Sequence, residues 1–251
     1  MSETVLELDD VRMVFKRGRG HAVTAMDGIS FRIAEGETLG LVGESGSGKT
    51  TTGSVALGLR RPTSGTVRFL GTVQRGRRPR GAHTGAVQAV LQNPHWSLNP
   101  RLTVADSVAE PRAAVEGGRL RSHHPAALRI LDRVGLPASF ARRLPHELSG
   151  GQRQRVAIAR ALITRPRFIV FDEAVSALDV SVQAHILNLI HDLQGEHGFG
   201  ALFISHDLAA VRYLAHRVAV MHTGRIVELA DAQRFYSAPQ HPYSRQLLET
   251  L

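Results

Sequence analysis

The chain has 251 residues, 43% of them hydrophobic, which is long for one domain, short for two, and enough to bury one large core. Its formal net charge is +9, yet Lys16 and Lys49 are the only lysines among 31 basic residues, a bias that reads as genome composition more than as a built basic patch. With no cysteine, disulfides and cysteine-ligated zinc or iron–sulfur centres are excluded, and no run nears the roughly 18 apolar residues of a membrane-spanning helix.

The opening segment MSETVLELDD is acidic and polar, unlike a secretory signal, so a soluble chain is expected. Thr4–Leu8 and Ile29–Ile33 are the first predicted strands, and Glu35-Gly36-Glu37 turns into a third, Thr38–Val42. A Gly-rich run at 43–48 then leads into a helical pattern from Lys49 to Leu59. Residues 71–86 are rich in Gly and Arg without periodicity and are expected to form a solvated surface loop. Arginines without interleaved aromatics give little support to a nucleic-acid tail there. VQAVLQ at 87–92 reads as a strand, and from about Thr103 to Ile163 the pattern is mostly helical. Strand-like runs return at Phe168–Phe171, Ala201–Ser205 and Arg217–Met221, with a helix over Ser181–Leu193. Strands separated by helices predict an α/β fold whose sheet is mainly parallel, with function at the carboxyl ends of its strands.

GESGSGKT at 43–50 follows a predicted strand and opens a helix, the context a phosphate-binding loop requires. Gly43, Gly46 and Gly48 let the backbone curl so that successive N–H groups point at phosphate oxygens, and the helix adds the positive end of its dipole. In this reading Lys49 reaches the β- and γ-phosphates and the Thr50 hydroxyl binds Mg²⁺, with Ser45, Ser47 and Thr51 completing the nucleotide contacts. That one of only two lysines occupies the required position argues against a fortuitous Gly-rich turn. Further on, the apolar run Phe168–Phe171 ends in Asp172 and Glu173. Asp172 suits a metal-positioning carboxylate and Glu173 a general base that orients water; on its own the run could equally be a strand finishing in a solvated acidic turn.

LSGGQ at 148–152, continuing as RQRVAIARAL, resembles the signature of the nucleotide-binding subunits of ABC transporters. Physically it reads as a second anion site, with Ser149, Gly150 and Gly151 ahead of a helix beginning near Gln152. The resemblance covers about residues 4–249. It implies that this turn faces the nucleotide of a second subunit, so that two chains sandwich two ATPs. It also implies that Gln92 contacts Mg²⁺ and water, that Ser176–Asp179 crosses the dimer interface with Asp179 beside the partner's nucleotide, and that His206 hydrogen-bonds the γ-phosphate. Phe15 is either the aromatic that stacks on adenine or a core phenylalanine. The implied fold is a RecA-like P-loop NTPase core with a mainly parallel sheet, an antiparallel β subdomain and an inserted α-helical subdomain. Residues 1–91 and 164–236 would form the core, 92–163 the helical subdomain, and 237–251 a short C-terminal extension.

LPHELSGGQ is similar to importers, while QNPHWSLNPR after the Gln92 strand and SAPQHPYSRQLLE near the end resemble the dipeptide, oligopeptide and nickel importer branch. Ala174 departs from the commoner proline after the Asp-Glu pair and leaves Glu173 untouched. The resemblance therefore implies an ATPase using ATP and Mg²⁺ at the cytoplasmic face of a bacterial cell membrane, powering import of peptides, nickel or a metal chelate. Its partners would be transmembrane permease subunits and a second ATPase subunit, preferably different but possible as an identical copy, with an extracytoplasmic solute-binding protein acting indirectly. No nucleic-acid partner is expected: related DNA-repair heads carry a long coiled coil or zinc insertion before the signature, and the interval from Thr50 to Leu148 has neither heptads nor cysteine. A regulatory scaffold without turnover would not need Glu173 and His206.

Overall fold

The computed structural model describes residues 3–17, 21–74, 84–92, 98–176 and 178–249. The amino-terminal part holds strands β1 (Thr4–Arg17), β2 (His21–Ala34) and β3 (Thr38–Val42), then helix α1 (Lys49–Ala56) and strands β4 (Ser64–Phe69), β5 (Thr72–Val73) and β6 (Val87–Leu91). A helical stretch follows, with α2 (Val104–Glu116), α3 (His124–Arg133) and α4 (Gly150–Leu162), one 3₁₀ turn between the first two and two between the last two. The chain ends with β7 (Phe168–Asp172), α5 (Val180–His197), β8 (Gly200–Ile204), α6 (Leu208–Leu214), β9 (Arg217–His222), β10 (Arg225–Asp231), α7 (Ala232–Ser237) and α8 (Pro242–Leu248).

Two sheets result. The six-stranded sheet has the order β10-β9-β3-β8-β7-β6 and is parallel except for the β9–β10 hairpin. The four-stranded sheet, β2-β1-β4-β5, is antiparallel throughout. Because side chains alternate across a strand, the six-stranded sheet feeds two cores. Leu39, Leu41, Phe168, Val170, Leu202, Ile204, Ala219 and Met221 face α1 and the antiparallel sheet. Ile169, Phe171, Phe203, Val218 and Val220 face the helices on the opposite side. Near-continuous apolar runs are what a sheet covered on both faces needs, which is why β3 and β7–β9 were readable within a residue or so.

The antiparallel sheet departs from expectation. β1 and β2 extend far beyond Thr4–Leu8 and Ile29–Ile33, because the ladder passes through register shifts around Leu8–Val14. Asp10 sits there at φ 46°, so the Asp9-Asp10 pair that interrupts the apolar alternation marks a bulge inside a long strand. The expected loop at 71–86 opens with β5, paired to β4 around a two-residue turn in which Leu70 and Gly71 both have positive φ. Residues 75–83 of that segment lie outside the described residues. So do the 93–97 part of the segment after Gln92 and the 18–20 part of the loop after Phe15. α1 stops at Ala56, and α4 begins at Gly150 two residues before Gln152. No helix among the described residues is long and apolar enough to cross a membrane.

Candidate functional site

The parallel register sets three loops side by side. Leu41 and Asp172 both pair with Ile204, so the chain leaves β3 into Gly43, β7 into Glu173 and β8 into His206 at one edge of the sheet. The Gly43–Gly48 loop is shaped by close approach. A Cβ on Gly43 would lie 2.0 Å from the Met221 carbonyl oxygen, and one on Gly48 would lie 2.2 Å from that of Ala25. Gly224 N–H donates to Ser47 O at 3.0 Å, so the β9–β10 turn props the loop from behind.

Lys49 is 6% exposed and donates from Nζ to Gly43 O at 2.6 Å and Glu44 O at 2.8 Å, which aims the ammonium back along the loop. Burial pulls its pKa below the usual lysine range, opposed by the carboxylates of Glu173, Asp172 and Glu44. The Asp172 carboxyl is pushed up to about 6, first by burial and then by Glu173, while Lys49 and a hydrogen bond from Thr50 pull it down. Asp172 Oδ1 and Ser47 Oγ are buried without a protein partner. An unpartnered carboxylate oxygen with a threonine hydroxyl on the same carboxylate is a hard-oxygen donor set, the type Mg²⁺ takes, so these residues fit that ion.

Glu173 has φ 49°, a left-handed conformation rare for a non-glycine residue and costly by about 1–3 kcal/mol, held by its N–H donating to Ile204 O at 2.9 Å. The turn brings Glu173 Oε2 to 3.6 Å from Nδ1 of His206, which is otherwise exposed. Gln92 Nε2 donates to Ser176 Oγ at 3.4 Å, and Ser176 Oγ donates to Glu173 O at 2.9 Å. Gln92, Asp172, Glu173 and His206 thus join the Lys49–Thr50 end of the loop. Ser45 is exposed, and Thr51 is half-buried in the first turn of α1.

Ser149, Gly150, Gly151, Gln152 and Asp179 form a second cluster at the amino ends of α4 and α5. Ser149 caps α4: its Oγ accepts from Gln152 N–H at 3.3 Å while Gln152 Oε1 accepts from Ser149 N–H at 2.9 Å. Capping accounts for Ser149 and Gln152 but not for the glycines between them; at Gly151 the reason is close packing, since a Cβ there would lie 2.4 Å from Val182 Cγ1. Asp179 caps α5, accepting from Val182 N–H at 3.0 Å and Ser181 Oγ at 2.9 Å, which holds its carboxyl below the usual range. Ala177 between Ser176 and Asp179 lies outside the described residues. Phe15, on β1 opposite Val23, is half-buried beneath the Arg60 guanidinium 5.2 Å from its ring centroid and belongs to neither core, so the core-phenylalanine alternative is not met.

Two contacts escaped the sequence. Glu44 N–H donates to the Tyr243 hydroxyl at 3.0 Å across 199 residues, and Asp207, beside His206, accepts from Gln183 of α5. The HPY resemblance marked Tyr243 as belonging to a motif, but nothing local connects it to the phosphate loop.

A family model described as "ABC transporter" matches residues 26–176. The oligopeptide transport ATP-binding protein OppF of Bacillus subtilis is 46% identical over 259 residues, covering 100% of this chain and 83% of OppF. OppD of Mycobacterium tuberculosis, another oligopeptide transport ATP-binding protein, is 48% identical over 238 residues, 94% of this chain and 39% of OppD. Among solved structures, the dimeric post-hydrolysis state of the ATP-binding cassette MJ0796 bound to ADP and Pi superposes with a TM-score of 0.78 at 28% identity, covering 90% of this chain and 98% of that one.

Proposed function

Because the chain belongs to the ABC transporter family as an ATP-binding, ATP-hydrolysing subunit with a RecA-like P-loop core, we propose that it powers peptide import from the cytoplasmic face of a bacterial membrane. The observation that carries the reading is the convergence of Lys49, Asp172, Glu173 and His206 at the carboxyl ends of β3, β7 and β8. The loop N–H groups and Lys49 hold the ATP phosphates. Thr50, Asp172 and Gln92 would hold Mg²⁺, which when bound offsets phosphate charge. Glu173 accepts a proton from the attacking water, and His206, within reach of Glu173, orients the γ-phosphate; positioning and electrostatics lower the barrier.

Ser149 to Gln152 and Asp179 complete the site of a second ATPase subunit across a dimer interface, which the exposure of Ser149 and the dimeric relative MJ0796 support. Similarity to OppF and OppD, both oligopeptide transport ATP-binding proteins, favours peptide over nickel as cargo; the second ATPase subunit is proposed to be a different chain, with permease subunits docking on the helical stretch 92–163. Phe15 is the proposed adenine contact.

The test is Glu173→Gln. It should retain ATP binding, trap a nucleotide-bound dimer and cut turnover by about 10²–10⁴-fold; undiminished turnover would refute the base assignment.

A further inference from the structure

The C-terminal segment after β10 has no part in the chemistry above, yet it reaches the phosphate loop. Glu228 of β10 is buried and accepts from the N–H groups of Gln240 and His241, both at 2.9 Å. His241 caps the start of α8, where its Nδ1 accepts from Tyr243 N–H at 3.2 Å. The Tyr243 ring packs on His222 with centroids 4.1 Å apart, and His222 follows Met221, whose carbonyl bounds Gly43. Tyr243 is 8% exposed, and its hydroxyl ends on Glu44 N–H.

That N–H belongs to the same peptide unit as the Gly43 carbonyl, the oxygen to which Lys49 Nζ donates at 2.6 Å. A peptide unit is planar, so the bond on its N–H side fixes the direction of its C=O side. One plane is therefore held by Tyr243 on one edge and the catalytic-loop lysine on the other. We infer that Tyr243 is a positioning residue for ATP binding: through the Gly43–Glu44 peptide it fixes where the Lys49 ammonium stands, and the segment from Glu228 to Tyr243 is the strap that holds it there. The inference rests on the nucleotide reading of the loop. Burial raises the Tyr243 phenol above its ordinary range, so it stays neutral and able to accept through physiological pH.

The test is Tyr243→Phe in the full chain, which keeps the ring and its stack on His222 and removes only the oxygen. Titration with a fluorescent ATP analogue in Mg²⁺ should show affinity weakened about five- to tenfold, the scale of one hydrogen bond. KM for ATP should rise by a similar factor with kcat at saturation within about twofold, a split that general loss of structure does not produce. Glu228→Ala, which unties residues 240 and 241, should weaken binding in the same direction and combine with Tyr243→Phe less than multiplicatively. Affinity within about twofold of wild type in Tyr243→Phe, kcat lost as heavily as KM, or independent effects in the double variant would each overturn the inference. Lys49→Ala run alongside separates the two readings. If it abolishes binding while Tyr243→Phe is silent, only the role of Tyr243 falls; if it too is silent, the nucleotide reading falls.

Discussion

Alanine at two glycines of the phosphate loop should have very different costs. Gly48 has φ 111°, and an added Cβ would stand 2.2 Å from the Ala25 carbonyl oxygen and 2.5 Å from Met221 Cε. The methionine tip can swing away, but the carbonyl is backbone of β2. The unfavourable φ costs about 1–3 kcal/mol and the forced repacking about 1–3 more, so Gly48→Ala should lose about 2–6 kcal/mol. Against a typical total of about 5–15 kcal/mol that is severe. Gly46 has φ 83°, and a Cβ there meets nothing within 4 Å, so Gly46→Ala carries only the backbone strain, about 1–2 kcal/mol. Urea unfolding of both variants without nucleotide, followed by far-UV circular dichroism, measures the difference directly. Equal losses in the two variants, or a Gly48→Ala midpoint matching wild type, would refute the view that close approach of β2 dictates glycine at 48.

Asp172→Asn should raise stability and lower function together. The carboxyl titrates near 6 in the folded protein against 3.8 in an open chain, so the folded state holds the proton more tightly and wild type loses stability as pH rises from about 4 to about 6. At about 1.4 kcal/mol per unit the ceiling is about 3 kcal/mol, which partial solvation reduces to roughly 1–2. Unfolding in chelator should then show the variant more stable at pH 8 and equal to wild type near pH 4, with Mg²⁺-dependent ATP binding lost; a pH-independent difference would contradict the assignment. His206→Ala should cut turnover while sparing ATP binding, measured by phosphate release and nucleotide titration, and equal loss of both would mark His206 as structural.

What the sequence revealed follows the range over which each signal acts. Phe168–Phe171 and Val218–Met221 are continuous apolar runs because both faces of their sheet are covered, so local composition suffices. Asp9-Asp10 misled because a bulge and a turn use the same polar residues, and only pairing with β2 distinguishes them. Lys49, Thr50, Asp172 and Glu173 were visible because each motif packs its chemistry into a few consecutive residues. Tyr243 was not, since its partner Glu44 belongs to another strand's loop and a backbone N–H carries no sequence mark. Ser149 was legible as the start of a helix because the Gly pair and the helical run follow it directly, whereas Asp179 entered only through the resemblance, and its hydrogen bonds show it also capping α5.

Strand β3 lies between β8 and β9, and the loop it carries is braced by Gly224 and Tyr243. All of those partners lie about 150 residues or more beyond Lys49 along the chain. During synthesis, the nucleotide pocket cannot assemble while the ribosome still holds that stretch, however early its lysine emerges. Such distant pairing also makes for slow maturation, since the long closure must precede its reward. ATP therefore meets a finished loop only once strands far along the chain have joined β3.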